Sequence, residues 1–289
     1  MTPKSPKKRS PAFFSEIANF ARAFPLATIG GIIVVAFVLV AVLAPVVAPQ
    51  DPNKMNLDHA LERPNPQFLL GTDYSGRDML SRLIFGARVS LFISLTSVIL
   101  GVAVGVALGV VAAWFRRLQA VIMRLMDIML SFPSIIVALT IIAILGSGIQ
   151  NLIIAIAVYN IPVFARIAFG QTLSVKNFTY IEAVITLGAR DGRILLRHIL
   201  PNIIAPVIVQ FTLVIPRAIM LTAGLSFLGL GVMPPTAEWG NMLQNSLRWA
   251  AQGPHLVLFP GLALLLVVFG FNTFGDGLRV SLDPRMRNR

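Results

Sequence analysis

The chain has 289 residues, of which 56% are hydrophobic and 12% charged, with a formal charge of +12 and no cysteine. A soluble domain carries about 25% charged residues, so this is a membrane composition, and the lack of cysteine excludes disulfides, thiolate zinc sites and cysteine nucleophiles. The Lys and Arg residues lie beside apolar runs and form no continuous stripe, which argues against nucleic-acid binding.

Residues 1–25 read as a basic cytoplasmic tail. Within it Phe13, Ile17, Phe20 and Phe24 recur at helical spacing, fitting either a short helix on the inner leaflet or an unstructured tail. A bilayer core about 30 Å thick needs about 20 apolar residues in a helix. The first such run, 26–47, is longer than a signal h-region and lacks an A-x-A cleavage pattern, so it is an uncleaved transmembrane helix. Residues 48–85 follow as an extracytoplasmic loop. The second span runs from Val89 to Trp114 and carries Gly101, Gly105 and Gly109 at four-residue spacing, where another helix can approach closely. The uncharged stretch from Ile128 to Ala165 is too long for one crossing, and Gly146-Ser147-Gly148 divides it into two helices with a tight outer turn. Two further spans run from about Ile203 to Leu225 and from about Leu256 to Gly275.

The expected fold is therefore an all-α membrane protein with six transmembrane helices and both termini on one side. With the N-terminus inside, 17 Lys and Arg residues lie on the inner side and six on the outer, with Arg217 inside a span. The positive-inside rule then makes both termini cytoplasmic, including the tail 277–289.

Charges near or within spans need an account, because each is costly in hydrocarbon. Asp127 follows Arg124 by three residues, the spacing of a local ion pair. Arg217 follows Pro216 past the midplane of the fifth span. It can face the translocation path and meet a substrate carboxylate or carbonyl, or it can pair with a neighbouring subunit. Pro133 and Pro162 interrupt neighbouring helices, freeing carbonyls that either line a pathway or mark kinks.

No G-x-x-x-x-G-K-[ST] loop and no H-E-x-x-H occurs, and His59, His198 and His255 are scattered. The chain therefore has no Walker site, metal centre or catalytic triad of its own, and any ATP must be handled by a partner. An ion-driven secondary transporter should need intramembrane acids or paired broken helices, for which Asp127 is a poor sole candidate. An intramembrane enzyme should show a Ser or Asp with a base in reach, and no such set is evident.

About 35 residues separate the fourth and fifth spans, more than a usual helix-to-helix connection. Tyr180 to Leu187 reads as a short helix that Gly188 can end in a left-handed conformation, after which Asp191 can cap a second helix starting near Gly192. Ile181, Val184 and Ile185, with Ala183 and Leu187 nearby, make an apolar surface that either packs on the protein's own helices or meets a partner. Arg190, Arg193 and Arg197 share about one face of the second helix, where they can meet a partner or anionic headgroups.

The run Tyr180-Ile-Glu182-Ala183-Val184-Ile-Thr-Leu187-Gly188-Ala189, followed by Asp191, Ile194 and His198-Ile-Leu-Pro201-Asn202, closely resembles the EAA loop of binding-protein-dependent permeases. Val184 departs from that signature, which prefers alanine. Three further stretches, Phe68 to Arg88, Gly224 to Asn241 and Gly275 to Pro284, resemble the oligopeptide, dipeptide and nickel branch of the family, specifically its C-type subunit. The resemblance implies a type I ABC importer transmembrane subunit, with a shared core at 86–276 and a coupling hairpin at 177–202. Glu182, Ala183, Val184, Leu187, Gly188 and Ala189 would couple to an ATPase, supported by Asp191, Ile194, His198, Pro201 and Asn202. It also implies a homologous B-type permease partner, two cytoplasmic ATPases that hold ATP and Mg, and an extracytoplasmic solute-binding protein, all at a bacterial inner membrane. Family patterns carry Glu where this chain has Thr222, which weakens transfer of a substrate by analogy. Dipeptides, longer peptides, glutathione, nickel chelates and oligosaccharides all occur among such systems.

Overall fold

A computed structural model describes residues 20–282. They form helices α1 (Pro25–Val42), α2 (Met79–Trp114), α3 (Arg116–Ser131), α4 (Ser134–Leu145), α5 (Ile149–Lys176), α6 (Thr179–Thr186), α7 (Leu200–Phe227), α8 (Trp239–Ser246) and α9 (His255–Leu282), with shorter turns between them. Phe13 and Ile17 lie outside the described residues, as do Asp283 and Pro284, while Phe20 and Phe24 pack with ring centroids 5.3 Å apart.

Five helical runs are long and apolar enough to cross a bilayer: α1, α2, α5, the continuous run Asp191–Phe227 that contains α7, and α9. The sixth candidate crossing is interrupted at Pro133, as the sequence reading expects, and the bend there is sharp. It is no single helix but α3 and α4 together, bent by 96° at Phe132-Pro133. Pro133 supplies the reason, since it has no N–H and pushes the preceding residue into extended backbone, where Phe132 lies at ψ 141°. Pro162, by contrast, does not interrupt its helix, and α5 runs through it to Lys176.

Crossings alternate in direction, so Phe20, Lys176, the α6 turn and Leu282 gather at one end of the bundle, which we call the hairpin end. The other end is the loop end. Close approaches hold the bundle. Gly101, Gly105 and Gly109 turn α2 towards α5, where an added Cβ at Gly101 would lie 2.8 Å from the Asn160 Cβ and one at Gly105 2.5 Å from the Ile161 carbonyl oxygen. Gly30 of α1 and Gly270 of α9 allow the same kind of approach between the first and last spans.

At the loop end the connecting segments form a packed cap. Asp78 starts α2 by accepting from the Ser81 backbone N–H at 2.8 Å, so the helix begins ten residues before the span read from hydropathy and takes in the end of the stretch read as loop. Asp73 pairs with Arg77 at 2.7 Å and Arg82 at 3.4 Å, all three buried. Arg82 also donates to the Pro52 and Pro235 carbonyls, joining segments far apart in sequence. Trp239 is fully buried, donates its indole N–H to the Leu83 carbonyl at 3.1 Å and meets Phe37 edge-on.

Glu238 ties this cap to α2. Its carboxylate accepts from the backbone N–H of Gly240 and Asn241 and from the Ser90 hydroxyl, at 2.9 to 3.0 Å. Burial pushes its carboxyl above the ordinary range, against those backbone donors, which favour the charged form. The folded protein therefore binds this proton at pH values where the unfolded chain has released it, and the cap loses stability as pH rises from the ordinary carboxylate range to the raised value. Glu238→Ala should destabilise the cap by roughly 2–4 kcal/mol by removing a helix cap and orphaning buried donors. Thermal unfolding of the purified protein checks this, and an unchanged midpoint would refute it.

Candidate functional site

Two features stand out: the α6 hairpin and a polar cavity between spans. In the hairpin, a short helix runs from Thr179 to Thr186 and the chain turns at Gly188, whose φ of +78° favours glycine. The apolar residues of α6 and the turn after it divide into two sets. Ile181 is fully buried, and Val184 and Ala189 are partly buried against the core, so these three root the hairpin in its own protein. Glu182, Ala183, Ile185 and Gly188 are exposed, and Leu187 is 86% exposed. The departure at Val184 thus falls on the inward face and fills interior space.

The second arm also differs from expectation. Asp191 does not cap it, since Asp191 is itself the first helical residue and Arg190 holds the capping position without a side-chain bond. Nor is this arm a separate helix. Asp191–Ile194 passes through a π turn at Leu195–Ile199 directly into α7. Pro201, which cannot donate an N–H to the preceding turn, follows at once. Ile194 is buried. The Asn202 amide donates to the Tyr180 hydroxyl at 2.9 Å and to the His198 carbonyl at 2.6 Å, and the Tyr180 and His198 rings lie 6.3 Å apart. These contacts clamp α6 to the foot of α7. Arg190, Arg193 and Arg197 are exposed.

Within the spans, Asp127 does not pair with Arg124. It accepts from Arg166 on α5 at 2.5 Å, because α3 leans on α5 and turns Asp127 across the gap while Arg124 stays exposed. Arg217 lines a cavity of about 570 Å³ between α4, α5, α7 and α9, with Ser134, Tyr159, Asn160 and Asn272. Sequence reasoning singled out Arg217 alone. The available signal for the others was uncharged polar side chains inside apolar spans. Thr222 is fully buried nearby, its hydroxyl 3.2 Å from that of Ser94.

Apolar spans with a hairpin of one rooted and one exposed face at one end define a multi-pass membrane protein. The chain belongs to the family of binding-protein-dependent transport system inner membrane components, which matches residues 105–288, and residues 22–64 match the N-terminal TM domain of oligopeptide transport permease C. The chain is 42% identical to the dipeptide transport system permease protein of Alkalihalophilus pseudofirmus, covering 91% of this chain and 87% of that one. It is 40% identical to the glutathione transport system permease protein of Pectobacterium atrosepticum, covering 91% and 88%, and 43% identical to that of Escherichia coli O157:H7, covering 91% and 87%. Among solved structures, the inward-facing MetNI methionine ABC transporter is similar over 71% of this chain and 98% of that chain, with a TM-score of 0.58 at 19% identity. The fold is that of a type I importer transmembrane subunit, and the protein is a multi-pass membrane permease.

Proposed function

We propose that this chain is the C-type permease of an ATP-driven importer of peptides or related small solutes, and that α6 docks in a groove of a cytoplasmic ATPase. The observation that carries the reading is the division of α6: Ile181 and Val184 anchor it inward, while Ala183, Ile185 and Leu187 leave an apolar face in water, which a partner surface would cover. Glu182 supplies the polar contact on that face. The hairpin end is then cytoplasmic, in agreement with its excess of Lys and Arg. A homologous B-type permease completes the pathway, two ATPases hold ATP and Mg, and a solute-binding protein delivers substrate at the loop end. Peptide-type substrates follow from the dipeptide and glutathione permeases it resembles. Closure of the ATPases on ATP moves α6 and reverses the opening of the pathway.

Because the chain has no cysteine, single cysteines report contacts cleanly. Ala183→Cys and Leu187→Cys should crosslink to the ATPase in the assembled complex, with a yield that changes on ATP binding. Crosslinks confined to this chain's own helices would overturn the reading.

A further inference from the structure

Among the described residues, the cavity between α4, α5, α7 and α9 is lined by one cation, Arg217, and by no carboxylate or histidine. Arg217 makes no ion pair among the described residues, although its guanidinium sits well along a membrane-spanning helix. An uncompensated charge at such depth requires water or an anion. Around it stand the amides of Asn160 and Asn272 and the hydroxyls of Tyr159 and Ser134, with Val163, Met220, Leu221 and Val268 as apolar wall. Asn160 is buried, and its amide N–H is committed to the Ile156 carbonyl at 2.9 Å, which fixes the side chain in place. The volume of about 570 Å³ lies within the range of about 300–1,000 Å³ typical of small-molecule sites.

We propose that this cavity is a substrate-contact site at which Arg217 holds a carboxylate of the travelling peptide. The inference rests on the importer reading above and adds the chemistry that its pathway selects. A planar guanidinium matches a carboxylate with two parallel N–H donors, which a lysine would not reproduce. The surrounding amides and hydroxyls suit peptide N–H and C=O groups. A bare divalent cation is disfavoured, because the lining offers it a positive charge and no anionic ligand.

The test uses the full complex of both permeases and ATPases in proteoliposomes with its binding protein. Uptake is measured for labelled di- and tripeptides as free acids and as their C-terminal amides. The wild-type complex should prefer the acids. Arg217→Gln should narrow that preference about tenfold, the effect of losing one charge-assisted contact, while Arg217→Lys keeps part of it and complex assembly stays unchanged. Equal loss of acid and amide uptake, with assembly reduced, would show instead that Arg217 pairs with a carboxylate of the neighbouring permease, and an unaltered preference would equally overturn the proposal. If the wild-type complex moves neither acids nor amides, the peptide-importer reading itself fails, and this inference falls with it.

Discussion

Leucine in place of Gly109 is expected to stop transport and to keep the protein from accumulating in the membrane. Gly101, Gly105 and Gly109 form one edge of α2 against α5, and at Gly109 an added Cβ would fall on the Ala165 carbonyl oxygen and 2.9 Å from the Ala168 Cβ. Those obstacles are backbone and the first atom of a side chain. They cannot rotate aside, so the helices must part. Overpacking commonly costs about 1–3 kcal/mol, and a leucine here forces apart a contact that runs along two spans, so the loss should reach the upper end or beyond. Gly170, on α5 itself, is the control: an added Cβ there meets none of the described residues within 4 Å, and Gly170→Leu should accumulate and transport normally. Immunoblots of membranes together with uptake assays decide the matter. Normal transport by Gly109→Leu would mean that α2 and α5 do not pack as described.

Gly188→Leu is expected to leave the protein in the membrane while separating ATP hydrolysis from transport, with uptake falling at least tenfold. Two effects act at this position. The φ of +78° costs a non-glycine residue about 1–2 kcal/mol. The space around Gly188 is otherwise empty among the described residues, so the side chain itself should do no harm in the isolated subunit. A docked ATPase changes that, because leucine would then project into the interface. Comparing Gly188→Ala with Gly188→Leu separates the two, since both carry the backbone penalty and only the larger fills the docking space. Glu182→Arg should reproduce the uncoupling by reversing charge on the exposed face. Coupled, ATP-driven uptake by both Gly188→Leu and Glu182→Arg would remove the hairpin from the mechanism.

Much of this architecture was legible in sequence because hydrocarbon imposes a strong pattern. Apolar runs located α1, α2, α5, α7 and α9, and Gly146 and Gly148, at φ +85° and +142°, turn the chain between α4 and α5 as their positions suggested. The size of the bend in the third crossing was not legible, because hydropathy measures composition and carries no direction. Pro133 was the available sign of a break, yet Pro162 looks the same in sequence and leaves its helix intact, since neighbouring turns can absorb a lost hydrogen bond. The Arg124–Asp127 spacing was a fair local expectation that a tertiary partner, Arg166, displaced. Within α6, periodicity marked an apolar surface but could not divide it between rooted and exposed sides, which depends on where α7 begins. The loop-end cap around Asp73, Arg82 and Glu238 joins segments far apart in sequence and left no local trace.

The uninterrupted passage from Asp191 into α7 has a mechanical result. The 37 residues of Asp191–Phe227 form one continuous helical run, through the π turn and past Pro206 and Pro216, roughly 55 Å long at 1.5 Å per residue, with Arg217 roughly 40 Å along it from its foot. Pivoted near the base, such a run acts as a lever arm: a tilt of about 10° sweeps the arginine sideways by roughly 7 Å, simple trigonometry on that helical rise. If α6 docks as proposed, a shove of a few ångströms against Leu187 would be geared up at Arg217, carried by the backbone of this run itself.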